Sequence, residues 1–143
     1  MEYKKDSNGW VLRLNPGERL RPALEEFFRT EYRGCGWITG IGGAYNPEVS
    51  YFNIEKGAHE PQVLSGFYEV ISLGGYVALS DKNEPEVHLQ GSFGDKDHRV
   101  HGGHVFDLVV GPTLVIFIAR LAQTLRLKTD SATGVPLLDL RPR

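Results

Sequence analysis

The spacing of apolar and polar positions changes several times along the chain, and each change marks an element. Trp10-Val11-Leu12-Arg13-Leu14 reads as a strand that ends in the turn chemistry of Asn15-Pro16-Gly17-Glu18. From Glu18 to Tyr32, the residues Leu20, Ala23, Leu24, Phe27 and Phe28 recur at helical spacing among charged residues. This predicts one amphipathic helix with Pro22 in its first turn, stopped by Gly34 and Gly36. The glycine-rich apolar stretch from Cys35 to Glu55 predicts two short strands, and Val63 to Leu79 two more, divided at Gly74-Gly75. Val87 to Phe93 and Val100 to Phe106 form a predicted hairpin whose turn is Gly94-Asp95-Lys96-Asp97-His98. Thr113 to Leu121 is almost unbroken in apolar residues, as expected of a central strand covered on both faces. The closing segment, Lys128 to Leu140, is rich in turn residues.

Many strands and one helix predict an α+β fold: a mostly antiparallel β-sheet packed against one main α-helix, with a small barrel as the alternative. At 143 residues, with no internal repeat and no linker, the chain is read as a single compact domain over residues 1–143. Apolar residues around Tyr51, Phe52, Phe67, Tyr68 and Phe106 to Val110 exceed what one small core needs, which points to self-association.

A net charge of −2 removes a uniformly basic, DNA-coating surface, so any nucleic-acid contact requires a local patch. The single Cys35 excludes an internal disulfide and reads as a small buried residue. No stretch reaches the length of a signal peptide's apolar region or of a membrane span, so the expected location is cytoplasmic, with no membrane partner. Gly40-Ile41-Gly42-Gly43 lacks the spacing and lysine of a phosphate loop, and no serine sits in a nucleophile elbow. Arg19-Leu20-Arg21-Pro22 begins a helix instead of a groove-binding arm, and Arg141 and Arg143 at the tail read as solvated.

The chemistry concentrates in histidines: His88, His98, His101 and His104 lie within 17 residues, with Glu86, Asp95, Asp97 and Asp107 near them. Glu86 and His88 are two apart on a strand and project to one side. A hairpin turning on Lys96-Asp97 sets His104 opposite Leu89, and a bulge at Gly102-Gly103 would set it opposite His88. Two imidazoles and a carboxylate suit Zn2+ or another divalent cation, held by Glu86, His88 and His104, with His101 as the alternate ligand. His98 belongs to the turn, and His59 reads as a solvated loop residue. Three protein ligands leave a position for water or a small ligand. A metal-dependent enzyme, a hydrolase or lyase acting on a small molecule, is therefore the alternative to a binding domain.

Four stretches together resemble the plants-and-prokaryotes-conserved (PPC) domain, which occurs beside AT-hooks in plant nuclear proteins and alone in prokaryotes. They are WITGIGGAYNPEVSYFN, FYEVISLGGYVAL, EVHLQGSFGDKDHRVHGGHVF and TDSATGVPLLDL, in the family's order. The resemblance implies an α+β fold with an antiparallel sheet, a homotrimer, and in several stand-alone members a metal described as zinc. The family's metal pattern looks like H-x-H followed by GGH. Here His88 and His104 match it, and Glu86 stands where the first histidine would be. The family's DNA-binding label implies a DNA-associated or regulatory role, although this chain carries no AT-hook.

Overall fold

The computed structural model describes residues 1–141; Pro142 and the tail Arg143 lie outside the described residues. In chain order the elements are β1 (Glu2–Asp6), β2 (Gly9–Leu14), α1 (Leu20–Thr30), β3 (Gly36–Asn53), β4 (Ala58–Val63), β5 (Phe67–Leu79), β6 (Pro85–Gly94), β7 (Val100–Arg120), β8 (Arg126–Thr129) and β9 (Pro136–Asp139). The sheet runs β1-β2-β7-β3-β5-β8-β9, with β4 on β3 and β6 bridging β5 and β7. Every pairing is antiparallel except that of β5 with β8. The predicted α+β class holds. Because β6 joins β5 to β7, strands β7, β3, β5 and β6 also close a ring, so the barrel-like alternative describes part of the same sheet. No helix among the described residues is long and apolar enough to cross a membrane.

Several boundaries differ from the sequence reading. The glycine-rich segment forms one 18-residue strand, β3, instead of two short ones. Its register shifts between Gly40 and Gly42 and again beyond Gly42, which bends the strand without breaking it. The two strands predicted across Val63 to Leu79 are one strand, β5, that runs through Gly74-Gly75. A Cβ at Gly75 would sit 1.9 Å from the His88 carbonyl oxygen, so the glycine serves close strand approach and not a turn. Thr113 to Arg120 is the closing part of the 21-residue β7, and Leu121 lies just beyond its end.

That part of β7 also corrects the prediction of cover on both faces. Leu114, Ile116 and Ile118 are fully buried, with Leu12, Leu14 and Ile38 beside them and Leu20, Leu24, Phe27 and Phe28 of α1 in the same core. The alternate residues Val115 and Phe117 are 38% and 37% exposed. Val11 and Thr39 pair with Phe117, Ile41 pairs with Val115 and Trp37 with Ala119, so these residues share the uncovered face. Ile41 is 63% and Trp37 50% exposed. One layer is a core, and the other is a bare apolar sheet.

The hairpin between β6 and β7 sets the geometry of the histidines. Gly94 pairs with Val100, and the five residues between them form a closed turn. The Asp95 N–H donates to the Arg99 carbonyl at 2.9 Å, and the His98 N–H to the Asp95 carbonyl at 3.0 Å. His98 takes a left-handed conformation with φ of 61°, which adds one residue to the turn expected at Lys96-Asp97. The Asp95 carboxylate accepts from the N–H groups of Asp97 and Arg99 and pairs with His101 Nε2 at 2.9 Å.

Helix α1 starts without a side-chain cap of its own. Its first-turn N–H at Arg21 donates instead to Asp107 Oδ1 of β7 at 3.0 Å, and the other Asp107 oxygen meets Arg19 Nη2 at 2.8 Å. Asp107 is buried, so its carboxylate supplies from a distance what an N-cap residue normally supplies locally. Asp107→Ala should therefore cost about 1–3 kcal/mol in chemical denaturation, the range for stranding buried hydrogen-bonding groups. A loss near zero would remove this remote cap from the account of the fold.

Hydrogen bonds from His101 first, then from the Arg99 N–H, lower the Asp95 pKa to about 2 from 3.8. The native state thus binds this proton less readily than the unfolded chain. Its stabilising effect is complete above pH 3.8 and is lost as the pH falls towards 2. Asp95→Asn should destabilise the protein at neutral pH, with the gap to wild type closing over that acid range in pH-dependent unfolding. A gap of constant size would refute the charge's role.

Candidate metal centre

The left-handed residue in the turn moves the register by one from the sequence expectation. His104 pairs with Gln90, not with Leu89 or His88, and Gly102 and Gly103 face Ser92 and Gly91 in an unbroken ladder with no bulge. A Cβ at Gly103 would lie 2.6 Å from the Ser50 carbonyl oxygen, which explains the glycine by close approach of β3. His88 and Gln90 are two apart on β6, so His88, Gln90 and His104 still face one side, with His88 a diagonal step from His104. The common face survives, and direct opposition does not.

The β6–β7 ladder ends at the Gln90–His104 pair, and the strands then part. Arg21 of α1 occupies the gap. Its Nε donates to the Phe106 carbonyl, Nη2 to that of Val105 at 3.1 Å and Nη1 to that of Val87 at 3.4 Å. Carbonyls that lost a ladder partner are thereby satisfied by one guanidinium. The separation opens a cleft of about 1370 Å³, whose lining includes Arg21, His59, Glu86, His88, Gln90 and His104.

On one wall, His88 pairs across the strands with Tyr76, and Tyr76 pairs with Trp37. The rings stack in that order, His88 on Tyr76 at 5.1 Å and Tyr76 on Trp37 at 6.3 Å between centroids. The Nε2 of His88 is buried and has no hydrogen-bond partner, and the nearer Glu86 carboxylate oxygen lies 3.9 Å away. On the other wall, His104 pairs with Ser50 of β3, and its ring lies 5.1 Å from that of His59 on β4. Desolvation lowers the pKa of both His88 and His104. Glu86 opposes the shift at His88 and the Arg21 charge adds to it, whereas at His104 the neighbouring His59, His88 and Arg21 all add. Both imidazoles are therefore neutral at pH 7, with lone pairs available.

Of the predicted ligands, Glu86, His88 and His104 all line the cleft. His101 does not. It pairs with Phe93 on β6, is held by Asp95 and packs edge-on against Tyr68. Three cleft residues escaped the sequence reading: His59, whose polar segment is a strand and not a loop; Gln90, revealed only by the register; and Arg21, read as a solvated helix start. Asp107 is the helix cap described above. Cys35 is buried as expected, its Sγ placed between the N–H and carbonyl of Leu125.

A divalent cation finds suitable donors here: two neutral imidazoles, one with an orphaned buried nitrogen, and a carboxylate beside it. The donors are not fully gathered, since among the described residues no three His, Cys, Asp or Glu side chains form a ready metal-holding group.

Comparison with known proteins places this architecture. The family model of the Plants and Prokaryotes Conserved (PCC) domain matches residues 1–122. A candidate DNA-binding protein from Bacteroides thetaiotaomicron shares the fold with a TM-score of 0.91 at 20% identity, over 96% of each chain. The plant- and prokaryote-conserved (PPC) protein of Pyrococcus horikoshii is 29% identical, with a TM-score of 0.84 over 99% of this chain and 96% of its own. A metal-containing protein from Archaeoglobus fulgidus is 28% identical, with a TM-score of 0.82 over 96% of each chain. No curated protein matches the sequence.

Proposed function

Since the chain belongs to the Plants and Prokaryotes Conserved (PCC) domain family, we propose that it is a homotrimeric, divalent-cation-binding domain with a regulatory or DNA-associated role. The cation site is the cleft where β6 leaves β7, and zinc is the cation its donors suit best. The observation that carries this reading is the buried, unpartnered Nε2 of His88 beside the Glu86 carboxylate, on the same face as His104. A buried nitrogen without a partner is costly unless something binds it.

Glu86, His88 and His104 would hold the ion. Bound zinc supplies a localised positive charge and Lewis acidity. The chain's own residues supply the rest: Tyr76 fixes the His88 ring by stacking, burial keeps both imidazoles unprotonated, and Arg21 holds the strands apart. The metal-containing protein from Archaeoglobus fulgidus, 28% identical, supports the presence of a bound metal. Duplex DNA enters as a partner through the description of the Bacteroides protein, which shares the fold. A chain of net charge −2 would have to meet DNA with a local basic patch.

Assembly is supported by the bare sheet face. Val11, Trp37, Ile41, Val115 and Phe117 present apolar side chains on one surface, and Val115 and Phe117 belong to the run whose composition matches a strand covered on both sides. A second and third copy would give that run its missing cover.

Two measurements test the proposal. Elemental analysis of protein purified without added metal should find zinc in the wild type and its loss in His104→Ala, with Glu86→Ala reduced. Equal metal content in all three would overturn the ligand set. In sedimentation equilibrium the wild type should show the mass of three chains, and Ile41→Lys should show one chain with unchanged far-UV circular dichroism. A wild type that sediments as one chain would refute the assembly.

A further inference from the structure

We propose that His59 is an additional ligand of this cation, oriented by Ser50; the inference rests on the cation-binding reading of the cleft. Among the described residues strand β4 pairs only with β3, and its register sets His59 opposite Phe52. Alternation then places Ser50 and Phe52 of β3, His59 of β4, and His104 and Phe106 of β7 on one face. The rings bear this out: His59 lies 5.2 Å from Phe52, 5.1 Å from His104 and 5.7 Å from Phe106 between centroids.

The His59–His104 spacing is what a shared cation requires. With a zinc–nitrogen bond of about 2 Å and tetrahedral angles, two imidazole centroids on one ion lie roughly 5 Å apart. The observed separation is 5.1 Å, with the ring planes 45° apart.

Ser50 supplies the second part of the argument. It is only 4% exposed, and its Oγ lies 2.7 Å from Nδ1 of His59. In the tautomer whose Nδ1–H donates to the Ser50 hydroxyl oxygen, this bond fixes the ring's orientation and leaves the Nε2 lone pair for coordination. Outer partners of metal-bound histidines play this part. A buried hydroxyl on the core-backed strand β3 thus aims an imidazole carried by an exposed edge strand. Gln90, directly opposite His104, offers only a neutral carboxamide, a weaker donor for a borderline cation, so the further imidazole comes from the other side of β7, carried by β4 beyond β3.

The test is zinc affinity, measured by competition with a chromophoric chelator, for wild type, His59→Ala, His59→Gln, Ser50→Ala and His104→Ala. His59 is the hydrogen-bond partner of the buried Ser50 hydroxyl, so the thermal midpoint of each metal-free variant is measured alongside, and only a loss of zinc affinity in variants that remain folded counts. His59→Ala and His59→Gln should each weaken zinc binding by about 100-fold, and Ser50→Ala by about 10-fold, the effect typical of losing an outer partner. In the wild type, zinc should also shift the Nε2 resonance of His59 in a long-range nitrogen–proton spectrum. Zinc binding that is lost in His104→Ala but intact in both His59 variants, with no shift at His59, would overturn this inference and leave the cleft assignment standing. A wild type that binds no zinc would overturn both.

Discussion

The structure turns on the point where β7 stops pairing with β6. Strand β7 must serve β6 at its beginning, β2 at its end and β3 along most of its length, so somewhere it has to abandon one partner. It does so just beyond His104, where Val105 stays paired with Val49 of β3 and Val87 with Val77 of β5, and the carbonyls of Val87, Val105 and Phe106 turn to Arg21. A buried carbonyl without a donor is expensive, and here a single guanidinium serves all three. The helix that carries Arg21 is in turn started by Asp107, one residue beyond the last of those carbonyls. Helix, strand separation and cleft are therefore one arrangement: Arg21 cannot leave the gap without exposing the carbonyls, and the gap cannot close while Arg21 fills it.

The same strand explains why the molecule has two unlike faces. Its inward residues, Leu114, Ile116 and Ile118, reach the core shared with α1, and this burial gives the sheet its fixed side. Its outward residues are nearly as apolar, yet only solvent meets them in the single chain. A half-buried antiparallel strand normally alternates apolar with polar, and this one does not. The departure from alternation is a feature of the sequence itself, and it is the observation on which the proposed assembly rests.

Much of this was legible before any coordinates. The helix is announced by Leu20, Leu24, Phe27 and Phe28, because a 3.6-residue period leaves little ambiguity. The hairpin is announced by a turn flanked by β-prone runs. What was hidden has specific causes. Strands β1 and β4 are exposed at every position and carry no alternation to detect. They exist because β2 and β3 offer them edges. The register at His104 depended on His98 taking a positive φ, which histidine tolerates better than most residues but which its place in the turn did not announce. His59 was invisible as a cleft residue for a related reason. Its neighbourhood is polar, and only pairing with β3 brings it over Ser50.

The uncovered face and the cleft are joined by a row of cross-strand partners. Trp37 on the bare face stacks on Tyr76, and Tyr76 stacks on His88. Desolvation is already the leading cause of the lowered His88 pKa in the single chain. A partner subunit seated on Trp37 would remove more water from this row and hold the Tyr76 ring more firmly. Both effects favour the unprotonated imidazole, the form a cation needs. Assembly and cation binding would then reinforce each other, since any event that stabilises neutral His88 is shared between them. On the proposed reading, the apolar surface would be part of the site's electrostatics, and the cleft's affinity for a cation would depend in part on residues outside its ligand set.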